Sequence, residues 1–133
     1  MADQYQLKSL ADTVSAAAFA INKRIKDEIQ QLSFEEVQAL SNESRDLLIA
    51  GKTLYELTAI EIAKSGKDSL KKLEDATDTI NKAIKTIKTV QTVINITAKL
   101  VVLAGSIFAG NYTAIPQNVS DIISLLSPAE EEG

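Results

Sequence analysis

A seven-residue repeat of apolar side chains in the second half of the chain constrains the fold most strongly. From residue 70 to residue 101 apolar residues alternate at three- and four-residue steps, and Thr77 and Gln91 are the only polar exceptions. The apolar members are Leu70, Leu73, Ile80, Ile84, Ile87, Ile94, Ala98 and Val101. This spacing places one side chain per turn on a single helical face, so it predicts a long amphipathic helix.

The end of this segment is apolar on every side. Residues 100–110 read LVVLAGSIFAG, and Lys99 is the only charged residue between Thr89 and Ser120. A helix with no polar face must be covered by other helices, by a partner or by lipid. We therefore expect this segment to contact a partner or a membrane.

The composition favours an all-α fold. The 133 residues include two prolines and five glycines, which are too few turn residues for many short strands, and only 5% of the residues are aromatic. Four helices are predicted, over residues 3–32, 34–63, 68–109 and 118–126. We expect an elongated antiparallel bundle of three long helices, with the short C-terminal helix folded back on the end of helix three. Residues 1–128 form one domain in this prediction, and residues 129–133 form an acidic solvated tail.

Local signals suggest the helix ends. Ser33 and Glu36 form a capping box at the start of helix two. Asp3, Asp68 and Asn118 are predicted as the N-caps of helices one, three and four, because their side chains accept hydrogen bonds from free backbone amides. Gly66 and Gly110 are predicted to end helices two and three, since glycine adopts the left-handed conformation of a helix C-terminus.

Helix lengths predict an uncovered end on helix three. At about 1.5 Å per residue the three long helices measure about 44, 46 and 63 Å, the last value for a helix three that does not break near Gly105. Helix three would then extend beyond the others after about residue 97. Exposing each large apolar side chain there would forgo roughly 1.5–3 kcal/mol. The predicted interaction residues are those of this end and of the fourth helix, namely Leu100, Val101, Val102, Leu103, Ile107, Phe108, Ile122, Ile123 and Leu126.

The residue types argue against catalysis. The chain contains no histidine and no cysteine, which removes imidazole-based triads, His-ligated metals and thiolate chemistry. The Gly51-Lys52-Thr53 triplet lacks the earlier glycine and the preceding strand of a phosphate-binding loop. Asp75 and Asp78 are read as a solvated helix face. We expect no enzyme activity, no cofactor and no bound metal.

Charge and targeting signals narrow the partners. The net charge of −4 opposes phosphate attraction, so nucleic acid is not expected. The N-terminal residues lack the basic and apolar regions of a signal peptide, which predicts a cytoplasmic location, with release by a non-classical route left open.

Three functional hypotheses follow. The first is a non-catalytic helical protein that acts by association, as a homo-oligomer or as a subunit of a larger complex. The second is a membrane-active protein whose apolar hairpin, about residues 98–126, inserts into lipid under some condition. Helical pore-forming toxin components keep such hairpins packed until they meet lipid, an analogy of mechanism without a shared motif. The third, a carrier of an apolar ligand, is less favoured, and a small-molecule ligand is not expected.

Overall fold

Every secondary-structure element described by the computed structural model is helical. The model describes residues 4–57 and 62–126, with side chains from Leu7 onward. The elements are α1 (Gln4–Glu28), α2 (Phe34–Glu56), α3 (Lys64–Asp75), α4 (Thr77–Thr86), α5 (Val90–Phe108), a 3-10 turn (Tyr112–Ala114) and α6 (Ile115–Leu125). The all-α prediction is confirmed. The predicted cap Asp3 and the predicted acidic tail lie outside the described residues.

The capping box at the start of α2 is confirmed. The Ser33 Oγ accepts a hydrogen bond from the Glu36 amide at 3.1 Å, and the Ser33 amide donates to Glu36 Oε1 at 2.9 Å. These bonds satisfy two amides that the first turn of a helix leaves free. They turn the chain sharply after α1, so that α2 returns along it.

A glycine sets the spacing between α1 and α2. A Cβ added to Gly51 would lie 2.5 Å from the Ser15 Oγ and 3.5 Å from the carbonyl oxygen of Ala11. Further along the pair, the Tyr55 hydroxyl donates a hydrogen bond to the Asp12 carboxylate. Higher numbers on α2 therefore meet lower numbers on α1, and the two helices are antiparallel.

The prediction of one continuous helix over residues 68–109 is wrong, since this segment contains α3, α4 and α5. The helix first breaks at Ala76 (φ −91°, ψ 2°), beside a 2.8 Å contact between the hydroxyls of Thr13 and Thr77. It breaks again at residues 87–89, where Ile87 and Thr89 have extended backbones with ψ of 126° and 112°. Neither break contains glycine or proline, and each lies beside a contact with α1.

Contacts between the helices define the direction of each one. Thr13 meets Thr77, and Arg24 meets Ile84, so α4 runs parallel to α1. The Thr97 hydroxyl donates to Glu43 Oε2 at 3.2 Å, and later α5 residues meet later α2 residues, so α5 runs parallel to α2. The chain therefore reverses at residues 87–89, and α5 returns beside α2.

This reversal corrects the length argument made from the sequence. Because α5 lies beside α2, it does not project beyond the bundle. Its side chains Leu100, Leu103 and Ile107 are buried in the core. Burying these three contributes about 5–9 kcal/mol by the usual area relation, which explains why α5 folds back.

The C-terminal helix α6 packs against α3 and α5. Gly110, with φ of +76°, ends the preceding helix as predicted. The predicted cap at Asn118 is wrong, because α6 begins at Ile115 with Pro116 in its first turn, where a missing amide hydrogen costs nothing. Asn118 instead donates to the Ser106 Oγ at 3.0 Å.

The predicted boundary between helices two and three is also wrong. Helix α3 begins at Lys64, before the predicted cap Asp68, and Gly66 is buried within α3. Space beside Gly66 is limited, because an added Cβ would lie 2.6 Å from Ile62 Cγ2. Gly66 therefore allows a close contact with Ile62 and does not end a helix.

Candidate functional site

Helix α5 carries two apolar faces. Seven of its residues are buried in the core, namely Val93, Ile96, Thr97, Leu100, Leu103, Ala104 and Ile107. A second stripe is shifted by one residue and consists of Ile94, Ala98, Val101, Gly105 and Phe108. This second stripe continues the seven-residue repeat found in the sequence. Its first three residues are half-buried, whereas Gly105 and Phe108 are exposed, Phe108 by 41%, and the neighbouring Val102 is 49% exposed.

Helix α2 extends this surface. Val101, Gly105 and Phe108 line a shallow groove of about 240 Å³ together with Asp46, Ile49 and Ala50 of α2. The Ile49 side chain is 59% exposed. We define the α5 face as Ile49, Val101, Val102, Gly105 and Phe108. A contiguous apolar surface on two adjacent helices is typical of an interaction site.

The α5 face itself carries no charged side chain. Asp46 lies at its rim, and the only charge on α5, Lys99, points toward α6. The Lys99 Nζ lies 3.9 Å from Asp121 Oδ2. The lysine that interrupts the apolar run in the sequence is therefore not part of the exposed stripe.

One ionisable group lies between α2 and α5. Glu43 accepts the hydrogen bond from Thr97, whose hydroxyl is also 3.0 Å from the carbonyl oxygen of Ile94. Burial raises the pKa of Glu43 above its ordinary value of 4.5, the Thr97 hydrogen bond opposes this rise, and the nearby Asp46 carboxylate adds to it. In the folded protein the ionised form of Glu43 is therefore less favourable than it is in water.

The predicted interaction residues divide into two groups. Buried in the core are Leu100, Leu103, Ile107, Ile122 and Leu126, whereas Val101 is half-buried and Val102, Phe108 and Ile123 are exposed. Ile123 lies apart from the α5 face, in a groove between α3 and α6 that Lys72 and Ser120 also line. Whether any of these residues contacts a partner stays a prediction.

Sequence reasoning missed two members of the α5 face, Ile49 and Gly105. Ile49 lies on the outer side of α2, off the stripe that packs against α1. Among the described residues, nothing lies within 4 Å of a Cβ added at Gly105. The phase of the seven-residue repeat, continued beyond Val101 to the predicted residue Phe108, would also have identified Gly105.

Helix α5 is long and apolar enough to span a bilayer. An 18-residue window of α5 has a mean hydropathy of 1.6, and 39% of that window is buried in the fold. It is the one helix in the described part of the chain that meets these criteria. Core helices of soluble proteins also meet them, so length and hydropathy do not by themselves identify a membrane span.

Among the described residues, no group of three or more His, Cys, Asp or Glu side chains is placed to hold a metal ion. The side chains of the α5 face are hydrocarbon or glycine, which suits packing against another apolar surface and supplies no acid, base or nucleophile. No family model matches the chain, and no curated protein or solved structure is significantly similar to it.

Proposed function

We propose that this protein is a non-catalytic helical protein that acts by association through the α5 face. The observation that carries this proposal is the uncharged α5 face, in which Val102 and Phe108 of α5 and Ile49 of α2 are exposed. Its exposed carbon surface remains in contact with water in a single copy. Covering it would gain about 25 cal/mol per Å².

The size of the α5 face bears on the strength of association. From residue 101 to residue 108 the α5 part of this face is about 11 Å long, and a helix is about 10 Å wide. With Ile49 added, each copy contributes on the order of 150–200 Å², well below the roughly 800 Å² per partner of a standard interface. We therefore propose a reversible contact between copies, or one contact among several in a larger assembly.

A second candidate function is insertion into lipid. It is favoured by the mean hydropathy of α5 and by the small buried share of its most apolar window. Lys99 opposes insertion at a cost of about 2.5–3.5 kcal/mol at the bilayer centre. Insertion would also remove Leu100, Leu103 and Ile107 from the core. Association leaves that core intact, so we rank it first.

Two measurements on the wild-type protein separate these functions. For association we expect multi-angle light scattering to give a mass that rises with protein concentration above the 14.4 kDa of one chain. For insertion we expect flotation with vesicles of phosphatidylcholine, alone or mixed with phosphatidylglycerol. A strictly monomeric protein that floats with vesicles would replace the first proposal with the second. A monomer that stays out of the lipid fraction would contradict both insertion and a contact between copies.

A further inference from the structure

The turn between α4 and α5 is not encoded by its own residues. Ile87, Lys88 and Thr89 include neither glycine nor proline, and each can adopt a helical backbone. The seven-residue repeat also keeps its phase through the turn, from Ile80, Ile84 and Ile87 to Ile94. Joining two existing helices only requires propagation through three residues, which avoids the nucleation step. Local sequence therefore favours one continuous helix where the structure has a hairpin.

A contact from α1 maintains the hairpin. The buried Arg24 guanidinium donates from Nη1 to the carbonyl oxygen of Ile84 at 2.9 Å and from Nη2 to that of Lys88 at 3.4 Å. The Ile84 carbonyl lies in the last turn of α4, where the helix supplies no partner, and the Lys88 carbonyl lies in the turn that follows. In a continuous helix the Ile84 carbonyl would instead accept from the amide of Lys88. Arg24 thus stabilises the turn by replacing a bond that the straight helix would make.

The same end of the bundle exposes two large apolar side chains. Because Arg24 reaches Lys88, the turn at residues 29–33 between α1 and α2 lies at the same end as residues 87–89. Ile29 is 52% exposed and Phe34 is 76% exposed at this turn. A second copy placed end to end with the first would cover both.

We propose that residues 87–89 are the hinge of a domain-swapped dimer. In this dimer α4 and α5 form one straight helix, and α5 and α6 of each copy pack into the bundle of the other. The contacts of α5 with α2, including Thr97 with Glu43, and those of α6 with α3 are remade between copies. Exchange of an identical element therefore costs little core packing, which is why swapping is an accessible route to dimers.

The swap is independent of the α5 face. The swapped dimer makes its new contact at the end of the bundle that carries Ile29 and Phe34. The α5 face lies along the side of the bundle. The two forms of association can therefore be tested separately.

Two substitutions bias the hinge in opposite directions. Val90 is the first residue of α5 and Thr89 before it is extended, so Val90→Pro fits the hairpin. In a straight helix the same proline removes a backbone hydrogen bond and clashes with the preceding turn. Val90→Ala is the matched control that removes side-chain bulk alone. Thr89→Ala favours the straight helix by roughly threefold through helix propensity.

Spin labels can read the conformation within one chain. The chain has no cysteine, so Asp78→Cys and Ala109→Cys give two unique labels, on α4 and at the end of α5. Their backbones would be about 46 Å apart in a straight helix and roughly 20 Å apart in the hairpin. Dilution with unlabelled protein leaves only the distances within one chain visible to double electron–electron resonance.

The expected result is a dimer fraction, isolated by size exclusion, in which the distance within each chain is the long one. We expect Thr89→Ala to enlarge this fraction, Val90→Pro to abolish it, and Val90→Ala and Val102→Asp to retain it. A dimer with only the short distance would overturn the swap while leaving association through the α5 face intact. The absence of the long distance in both wild type and Thr89→Ala would also overturn it, as would its persistence in Val90→Pro. The wild-type and Thr89→Ala distances decide the matter even if the proline variant fails to fold.

Discussion

Arg24 on α1 donates a hydrogen bond to the backbone carbonyl of Ile84 at the end of α4, across 60 residues of sequence. The guanidinium is only 4% exposed, and its Nε lies 3.2 Å from Glu28 Oε2. One side chain therefore fixes the end of α4 on α1 and carries an ion pair along its own helix. This contact accounts for a turn that no local signal explains.

We expect Arg24→Ala to lower the free energy of unfolding by about 2–3 kcal/mol, because it removes two charged hydrogen bonds and takes the donor away from the buried Ile84 carbonyl. Arg24→Lys should lose about half as much, since an ammonium group cannot span both carbonyls. Urea unfolding measures both. The control is Lys23→Ala, which removes an exposed ion pair with Asp27 worth at most about 1 kcal/mol. Equal effects of Arg24→Ala and Lys23→Ala would contradict this role for Arg24.

The contact between Gly51 and Ser15 predicts a coupling between two substitutions. Gly51→Ala should gain about 1 kcal/mol in helix propensity but lose it again, because the new methyl group displaces the Ser15 hydroxyl. In a Ser15→Ala background the displacement is absent and the gain should appear. Thermal or urea unfolding of the four proteins in the cycle gives the coupling energy. Gly105→Ala, where the described structure leaves room for a methyl group, should show the gain directly. Additive effects of Gly51→Ala and Ser15→Ala would contradict the packing described here.

The raised pKa of Glu43 predicts a pH dependence of stability. Because the folded pKa lies above the ordinary 4.5, the folded state is favoured while Glu43 is protonated, and this advantage is lost as the pH rises above 4.5. Glu43→Gln keeps an acceptor for Thr97 without the buried charge. We therefore expect it to raise the unfolding midpoint at neutral pH and to flatten the profile above pH 4.5. A lower midpoint for Glu43→Gln at neutral pH would show that the ionised carboxylate stabilises the fold.

Helix type and some helix ends were predictable from the sequence because their causes are local. The capping box of Ser33 and Glu36 and the stop at Gly110 depend on a few neighbouring residues, and both are found in the structure. Residues 41–44 are polar and yet lie within a continuous α2, with Ser44 buried. A small buried hydroxyl does not interrupt a helix when its neighbours pack well.

The two breaks in the third helical segment were not predictable, because their causes lie elsewhere in the chain. Thr13 and Arg24 are distant in sequence from Ala76 and Ile87, and only the folded structure brings them together. A continuous seven-residue repeat suggested a straight rod. Because the reversal at residues 87–89 was missed, the sequence predicted an uncovered end of helix three. In the structure α5 instead has one side that is only partly covered.

The candidate site was predictable only in part for the same reason. A run that is apolar on every side indicates that α5 needs cover on more than one face, but it does not identify which face the chain covers itself. Packing against α2 and α6 buries Leu100 and Leu103 and leaves Val102 and Phe108 at the surface. The contribution of Ile49 depends on the position of α2 beside α5, which no local pattern encodes.

Sedimentation velocity on two matched variants, each separated from the swapped dimer by size exclusion, tests association through the α5 face most directly. Val102→Asp places a charge on this face, and Ile123→Asp places one at a similarly exposed aliphatic position, in the groove between α3 and α6. We predict that Val102→Asp weakens self-association by about tenfold or more, equivalent to about 1.4 kcal/mol, while Ile123→Asp associates like the wild type. Both should retain wild-type helicity by circular dichroism. Association that is unchanged in Val102→Asp, or weakened equally in both variants, would contradict the account.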